Sequence, residues 1–391
     1  MTKYTPIVDR VEYGGASIGL QEVKAIIDVI LSQDGKRWTI GSQAEAFEKE
    51  LAGIVGVKHA IVTNSGSSAL LVALQALHLP PKSLIVIPAL NFPTAFNAIM
   101  QTGNIPYVVD IDPKTLLIDL EEVKKAIRFE NIKAVIAVNV GSNPVDTVKL
   151  KNIVGPRAFV ITDNCDGLST TIDGKFVETY TDVTCTSFHA AHIVTMGEGG
   201  AVMTNNKEIA DRSIKIREWG RASGTDKIYN YPGLPEDYRE RYVYEEIGYN
   251  LKPLELQCAL GRAQLTHLME FKKKRLNNFN LLYTQLNKMP KLRMIEWLPN
   301  SEVCWFSFPF ICEDVERKIV MDALEKNNIE CRTIFSGNIL RHPAYKNIAV
   351  FKHGEMPNAD EVMFKGMFIS VHPSITKKMI NFIVEVLKPI C

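Results

Sequence analysis

Apolar residues recur at helical spacing in 21–33 (QEVKAIIDVILSQ) and again in 44–55, so both stretches are predicted helices. Residues 59–64 (HAIVTN) form a short apolar run that reads as a strand. SGSSALLVALQALHL follows as a loop feeding a helix. Further apolar runs stand at 84–87, 105–110, 133–138, 158–162, 182–188 and 200–205, and 94–101 has a helical pattern. Near-continuous apolar strands alternating with helices predict a mostly parallel sheet covered on both faces. From about residue 254 the rhythm changes. One long helical stretch runs from LELQCAL to LLYTQL, followed by a strand at 303–311 and helices near 316–326 and 376–387. The pattern predicts a large α/β domain over 15–250 and a smaller C-terminal α/β domain over 251–391. Residues 1–14 are expected to pack near the smaller one.

Length and composition narrow the classes. The chain has 391 residues, 46% hydrophobic and 23% charged, with a net charge of +1. It is long enough to bury a large core without disulfides or metal. A near-neutral charge gives no support for nucleic acid or a membrane surface as partner. No apolar run approaches the roughly 20 residues needed to span a bilayer, and the N-terminus lacks the apolar stretch of a secretory signal. A cytoplasmic protein is expected. The seven cysteines show no C-x-x-C pair and no zinc spacing, so no metal site is expected.

Four local features carry candidate chemistry. Ser65-Gly66-Ser67-Ser68 lies between a strand and a helix, where backbone N–H groups can bind phosphate; it also fits a plain turn. Asp163 ends the strand AFVIT, and open α/β sheets place ligands at such carboxyl ends. It could serve a metal, a ribose or a pyridinium nitrogen, or cap a helix. Phe92 follows the strand LIVI, where an aromatic can stack on a flat ring or pack in the core. His189 and His192 precede the glycine cluster Gly197-Glu198-Gly199-Gly200, as general base, metal ligand or satisfied polar residues.

In this order, with VVDIDPKTLLID (108–119), DNCDGL (163–168) and GYNLKPLELQCALGRAQL (248–265), the features resemble the DegT/DnrJ/EryC1/StrS family of sugar aminotransferases over nearly the whole chain. The resemblance implies the fold type I architecture of pyridoxal phosphate (PLP) enzymes: α/β, aspartate aminotransferase-like, with a mostly parallel seven-stranded sheet in the large domain. In that family the segment after Ser187 usually carries the lysine that binds PLP covalently. Here that position is His192, and no lysine lies between Lys175 and Lys207. An imidazole has no primary amine, so PLP and its pyridoxamine form (PMP) would be held without a covalent link. The segment is similar to the family's 3-dehydratase branch, whose substrates are nucleotide-linked 4-keto-6-deoxyhexoses.

The resemblance implies further roles. His192 is the expected base, with the ordinary pKa near 6.5 suiting it to neutral pH, and His189 is expected to support it. Gly66, Ser67 and Ser187 are expected on the cofactor phosphate, Asp163 on the ring nitrogen, Phe92 over the ring, and Asp166 among the cofactor-binding residues. Asn250 is expected to reach the cofactor of a second subunit, making a homodimer with shared active sites. Trp38, Thr39 and Gly41 are candidates for closing over the sugar. Arg332 is a candidate for a carboxylate or diphosphate. L-glutamate is the expected donor that regenerates PMP, with ammonia released. GDP-4-keto-6-deoxymannose is the expected substrate. The stretch PGLPEDYRERYVYEEIGYN looks closer to the branch acting on CDP-4-keto-6-deoxyglucose, which carries an iron–sulfur cluster. A cluster needs four thiolates, and 218–238 holds no cysteine, so none is expected.

Overall fold

The computed structural model describes residues 10–32 and 36–391. Helices α1 (Leu20–Leu31) and α2 (Ser42–Val55) precede strand β1 (His59–Thr63). The chain then alternates α3 (Gly66–Ala76), β2 (Leu84–Pro88), α4 (Pro93–Gln101), β3 (Ile105–Val109), α5 (Leu120–Phe129), β4 (Ile132–Val138), α6 (Thr147–Val154) and β5 (Phe159–Asp163). Two short strands, β6 (Thr171–Ile172) and β7 (Lys175–Phe176), lead to β8 (Val183–Ser187), β9 (Gly200–Thr204) and α7 (Lys207–Arg217). Helices α8 (Glu255–Leu265) and α9 (Leu268–Leu286) open the C-terminal part. There follow β10 (Leu292–Met294), β11 (Ser301–Glu302), β12 (Ser307–Cys312), α10 (Arg317–Lys326), β13 (Cys331–Thr333), β14 (Phe351–Lys352), α11 (Pro357–Lys365), β15 (Gly366–Ser370) and α12 (Lys377–Leu387).

The large sheet has the order β1-β9-β8-β5-β4-β2-β3-β14. Every pairing from β8 to β14 is parallel, and β9 runs antiparallel to both its neighbours. The sheet therefore has eight strands where seven were expected. The extra one, β14, pairs only Phe351 and Lys352 with Tyr107 and Val108 of β3. It comes from the C-terminal part, beyond the range of any pattern signal. A smaller antiparallel sheet has the order β10-β12-β15-β13, and β11 joins β6 and β7 in a third. Residues beyond 251 thus add strands to sheets of the large unit at two places. Near the N-terminus, Val11 makes a bridge with Ile329 and exchanges backbone hydrogen bonds with Asn328 and Glu330; residues 1–9 lie outside the described residues.

Central strands are Val-, Ile- and Ala-rich, and β8 and β9 are buried along their full length, as a sheet covered on both faces requires. The long helical stretch divides at Thr266. Its N–H turns to Ala263 O and the His267 N–H to Gln264 O, a tighter i→i−3 pattern, while the Thr266 hydroxyl also donates to Ala263 O at 2.7 Å. Strand β12 begins at Ser307, four residues later than the apolar run suggested. Loop residue Trp305 instead stacks on Phe279 of α9, centroids 4.0 Å apart.

Candidate active site

Three chain segments meet at the carboxyl ends of β1, β5 and β8. Antiparallel β9 starts there, with Gly200 paired to both Thr63 and Ser187. A Cβ on Gly200 would lie 2.4 Å from the carbonyl carbon and oxygen of Ser65. Glycine is what lets the two backbones touch. The contact holds the N-terminus of α3 beside Ser187, where a Cβ on Gly66 would lie 2.7 Å from Ser187 Cβ and 2.9 Å from Cys165 Sγ. Ser65 caps α3, its hydroxyl accepting from Ser68 N–H at 3.1 Å. The first-turn amides of Gly66 and Ser67 have no acceptor within the helix. Together with the helix dipole they suit a phosphate dianion.

Asp163 ends β5 and is buried; Cys165 N–H donates to its Oδ1 at 3.2 Å. Burial pushes its carboxyl above the usual range, against the pull of Cys165. A buried carboxyl of this kind suits a partner that brings its own N–H and positive charge. Phe92, the N-cap of α4, is 52% exposed and meets Phe335 edge-on at 6.1 Å, leaving ring surface free. A phosphate cradle, a buried carboxyl and an exposed aromatic ring match the three parts of a phosphorylated pyridine, so these residues fit PLP or PMP.

His192 stands in the turn after β8. Its Nε2 lies 3.7 Å from Asp166 Oδ1, longer than a hydrogen bond. The ring meets His189 at 5.6 Å and Phe306 edge-on at 5.5 Å. Its Nδ1 is buried without a partner. Burial, with His189 and Arg275 adding to it, lowers its pKa to about 3. Relative to the ordinary value near 6.5, the ring is held further toward its neutral form, because imidazolium loses hydration in this position. Asp166 moves the other way, to about 7, through burial and the nearby charge of Asp163, although Gly141 N–H donates to its Oδ2 at 3.1 Å. Within the chain, Asp166 faces His192, not the α3 turn. His189 Nε2 lies 3.9 Å from the exposed Glu198.

Other expected residues do not join this cluster within one chain. Thr39 bridges Leu254, and the amides of Gly41, Gln43 and Ala44 all donate to the buried carboxylate of Glu255. The loop with Trp38 is thus pinned to the start of α8, and the Trp38 ring is exposed. Asn250 is exposed and accepts from Lys252 Nζ at 2.6 Å. Arg332 lies over the Tyr13 ring at 4.4 Å and 3.6 Å from Glu330. Sequence reasoning missed Arg275, Phe306 and His372, which come from distant segments. It also missed Trp219, held at φ +62° with Lys252 and Arg221 against its ring. Among the described residues no group of three or more His, Cys, Asp or Glu is placed to hold a metal, and no helix is long and apolar enough to cross a membrane.

Residues 18–388 match the model of the DegT/DnrJ/EryC1/StrS aminotransferase family. The chain belongs to this family. It is therefore a PLP-dependent enzyme with the fold type I architecture. It is 34% identical over 395 residues to "Lipopolysaccharide biosynthesis protein RfbH" of Salmonella typhimurium, covering 95% of this chain and 89% of that one. Among solved structures, GDP-4-keto-6-deoxy-D-mannose-3-dehydratase of E. coli with bound hydrated PLP superposes with a TM-score of 0.89. That match has 29% identity and covers 97% of this chain and 100% of the other. A GDP-4-keto-6-deoxymannose-3-dehydratase with a trapped PLP-glutamate geminal diamine gives a TM-score of 0.88 at 28% identity, covering 96% and 100%.

Proposed function

We propose that this member of the family removes the C3 hydroxyl of a nucleotide-linked 4-keto-6-deoxyhexose, using PMP held without a covalent bond. The observation that carries the reading is the half-buried imidazole of His192 in the turn after β8, 3.7 Å from Asp166, in the position where the family's lysine is expected. The first-turn amides of α3 at Gly66 and Ser67, with the Ser187 hydroxyl, hold the cofactor phosphate. Asp163 holds the ring nitrogen and Phe92 covers the ring. When bound, the cofactor supplies an amine for the C4 ketone and an electron-accepting ring. His192 Nε2 accepts a proton from carbon and delivers one to the departing C3 hydroxyl, which leaves as water. An imidazolium that burial destabilises is a willing donor in the second half of that exchange. L-glutamate would restore the amine and leave as 2-oxoglutarate, and ammonia would be lost when the dehydrated amino sugar is hydrolysed.

GDP-4-keto-6-deoxymannose is the substrate to test first, since relatives of this fold at nearly full coverage act on it. Asn250, beside Lys252 and Trp219 on an exposed surface, reaches into the site of a second copy. The α1 helix supports that dimer. It exposes Leu20, Val23, Ile27, Ile30 and Leu31 while its other side packs along α8, and an apolar stripe of this length marks an interaction face.

Purified protein supplied with PMP and GDP-, CDP- and dTDP-4-keto-6-deoxyhexoses should release ammonia and a 3-deoxy sugar from one of them. His192→Gln should abolish this, and His192→Lys, incubated with PLP and reduced with borohydride, should retain the cofactor covalently through denaturation. A 4-amino sugar that keeps its C3 oxygen, or undiminished dehydration by His192→Gln, would overturn the reading.

A further inference from the structure

Helix α9 turns an unusual row of side chains inward. Lys272, Arg275 and Asn278, at successive i+3 positions, are all buried. Each donates to backbone carbonyls of another segment. Lys272 reaches Ser169 O at 2.9 Å, and Asn278 reaches His372 O at 3.0 Å. Arg275 Nη1 reaches Phe306 O at 3.0 Å and Trp305 O at 3.4 Å. Lys272 also has an ion pair, with Glu302 at 2.7 Å. For Arg275, 1% exposed, no ion pair occurs among the described residues, and its Nε is buried without a partner. A buried cation with no carboxylate of its own is costly. The fold retains one at the back of the base: Arg275, His192 and His372 line the same narrow cavity, with Ser17 and Gln264.

We propose that Arg275 is the positioning residue of the His192–Asp166 pair: it tethers the Trp305–Phe306 backbone that braces the imidazole, and its unshared charge keeps the pair short of a proton. This rests on the reading of His192 as the base. The tether acts through Phe306, whose ring meets the imidazole at 83°. Loss of the two carbonyl contacts would let the Phe306 edge move and the imidazole turn. The charge acts on His192, Asp166 and His372. His192 is faced by His189 of its own turn, with Glu198 beyond it, and by Asp166 after β5, with Asp163 at the end of that strand behind Asp166; Arg275 of α9 and His372 after β15 line the same cavity. Arg275 lowers His192 and His372 and also pulls down Asp166, which burial and Asp163 push up. All three effects disfavour an added proton, so the pair is held in its deprotonated form.

The test reads the pair without the reaction. The side-chain carboxyl of Asp166, labelled with ¹³C, is titrated in the cofactor-free protein, and kcat and KM are measured across pH on the PMP-loaded enzyme. Wild type should titrate near pH 7. In Arg275→Met the midpoint should rise by about half a pH unit or more. The acid limb of kcat should rise with it, and KM for the nucleotide sugar should stay within about twofold. Arg275→Lys restores the charge but not the two-carbonyl fork, so its midpoint should return toward wild type while kcat remains low. An Asp166 midpoint and acid limb unmoved in Arg275→Met would overturn the proposal. So would full kcat in Arg275→Lys, which decides the tether even if the Met variant fails to fold. Loss of the dehydratase reading would show separately, as undiminished turnover by His192→Gln with the Asp166 titration still responding to Arg275.

Discussion

Replacing Gly200 with alanine perturbs the site through its backbone and leaves every polar group in place. The new Cβ would sit 2.4 Å from Ser65 C and O and 2.5 Å from Gly66 N. Restoring ordinary contact at 3.4 Å or more requires β9 and the α3 turn to separate by about 1 Å. These are backbone atoms, held on one side by the Thr63–Gly200–Ser187 pairing and on the other by the first turn of α3, so no side chain can swing aside. Overpacking of this kind costs about 1–3 kcal/mol. The displaced atoms carry the amides proposed to hold the cofactor phosphate. A loss of about 1.4 kcal/mol or more in cofactor binding corresponds to at least a tenfold rise in Kd. The assay is fluorescence titration of the cofactor-free protein with PMP, with thermal unfolding alongside. Gly53→Ala is the control: Gly53 is an exposed position in α2 with nothing within 4 Å of its added Cβ. It should leave Kd unchanged and gain about 0.5–1 kcal/mol from helix propensity. A Gly200→Ala protein that binds PMP within twofold of wild type, at wild-type Tm, would refute the claim that this contact shapes the cradle.

Glu255→Gln removes a buried carboxylate that accepts from three amides of the loop and first turn of α2, at 2.8, 2.8 and 3.1 Å. Charge-assisted bonds of this type predict a loss of about 2–3 kcal/mol, read as a fall in the denaturant midpoint at unchanged m-value. Burial holds Glu178 at about 7, above the ordinary glutamate value of 4.5, so its ionisation opposes folding. That contribution to stability is fully present below about pH 4.5 and is lost as pH rises toward 7. Glu178→Gln should therefore unfold at a higher temperature than wild type at pH 8 and at nearly the same temperature at pH 5; equal gaps at both would count against it. Ile27→Glu places a charge in the exposed apolar stripe of α1 and should shift light-scattering mass from dimer to monomer, lowering PMP affinity with it. A variant that stays dimeric would show that the stripe lies outside the interface.

The sequence alone carried the alternation of strands and helices, because fully buried parallel strands leave uninterrupted apolar runs. It also carried the resemblance that sets His192 against the family's lysine, in a register read from Ser187 on one side and Gly199 and Gly200 on the other. A missing primary amine is a property of composition and needs no coordinates. The short strands β13 and β14 were not legible, since two or three residues leave too little periodicity. The break between α8 and α9 was not legible either, as the hydrogen bonds that make it leave the apolar pattern intact. Only the tertiary structure decided the surroundings of His192. The pKa of His192 depends on how much water and charge surround it, and those neighbours come from β5, α9 and the segment before β12. Arg275 illustrates the difference. In the sequence it ends the run Lys272-Lys273-Lys274-Arg275, which reads as a solvated helix face; in the fold it is buried behind the imidazole, because α9 turns that face toward the carbonyls of Trp305 and Phe306.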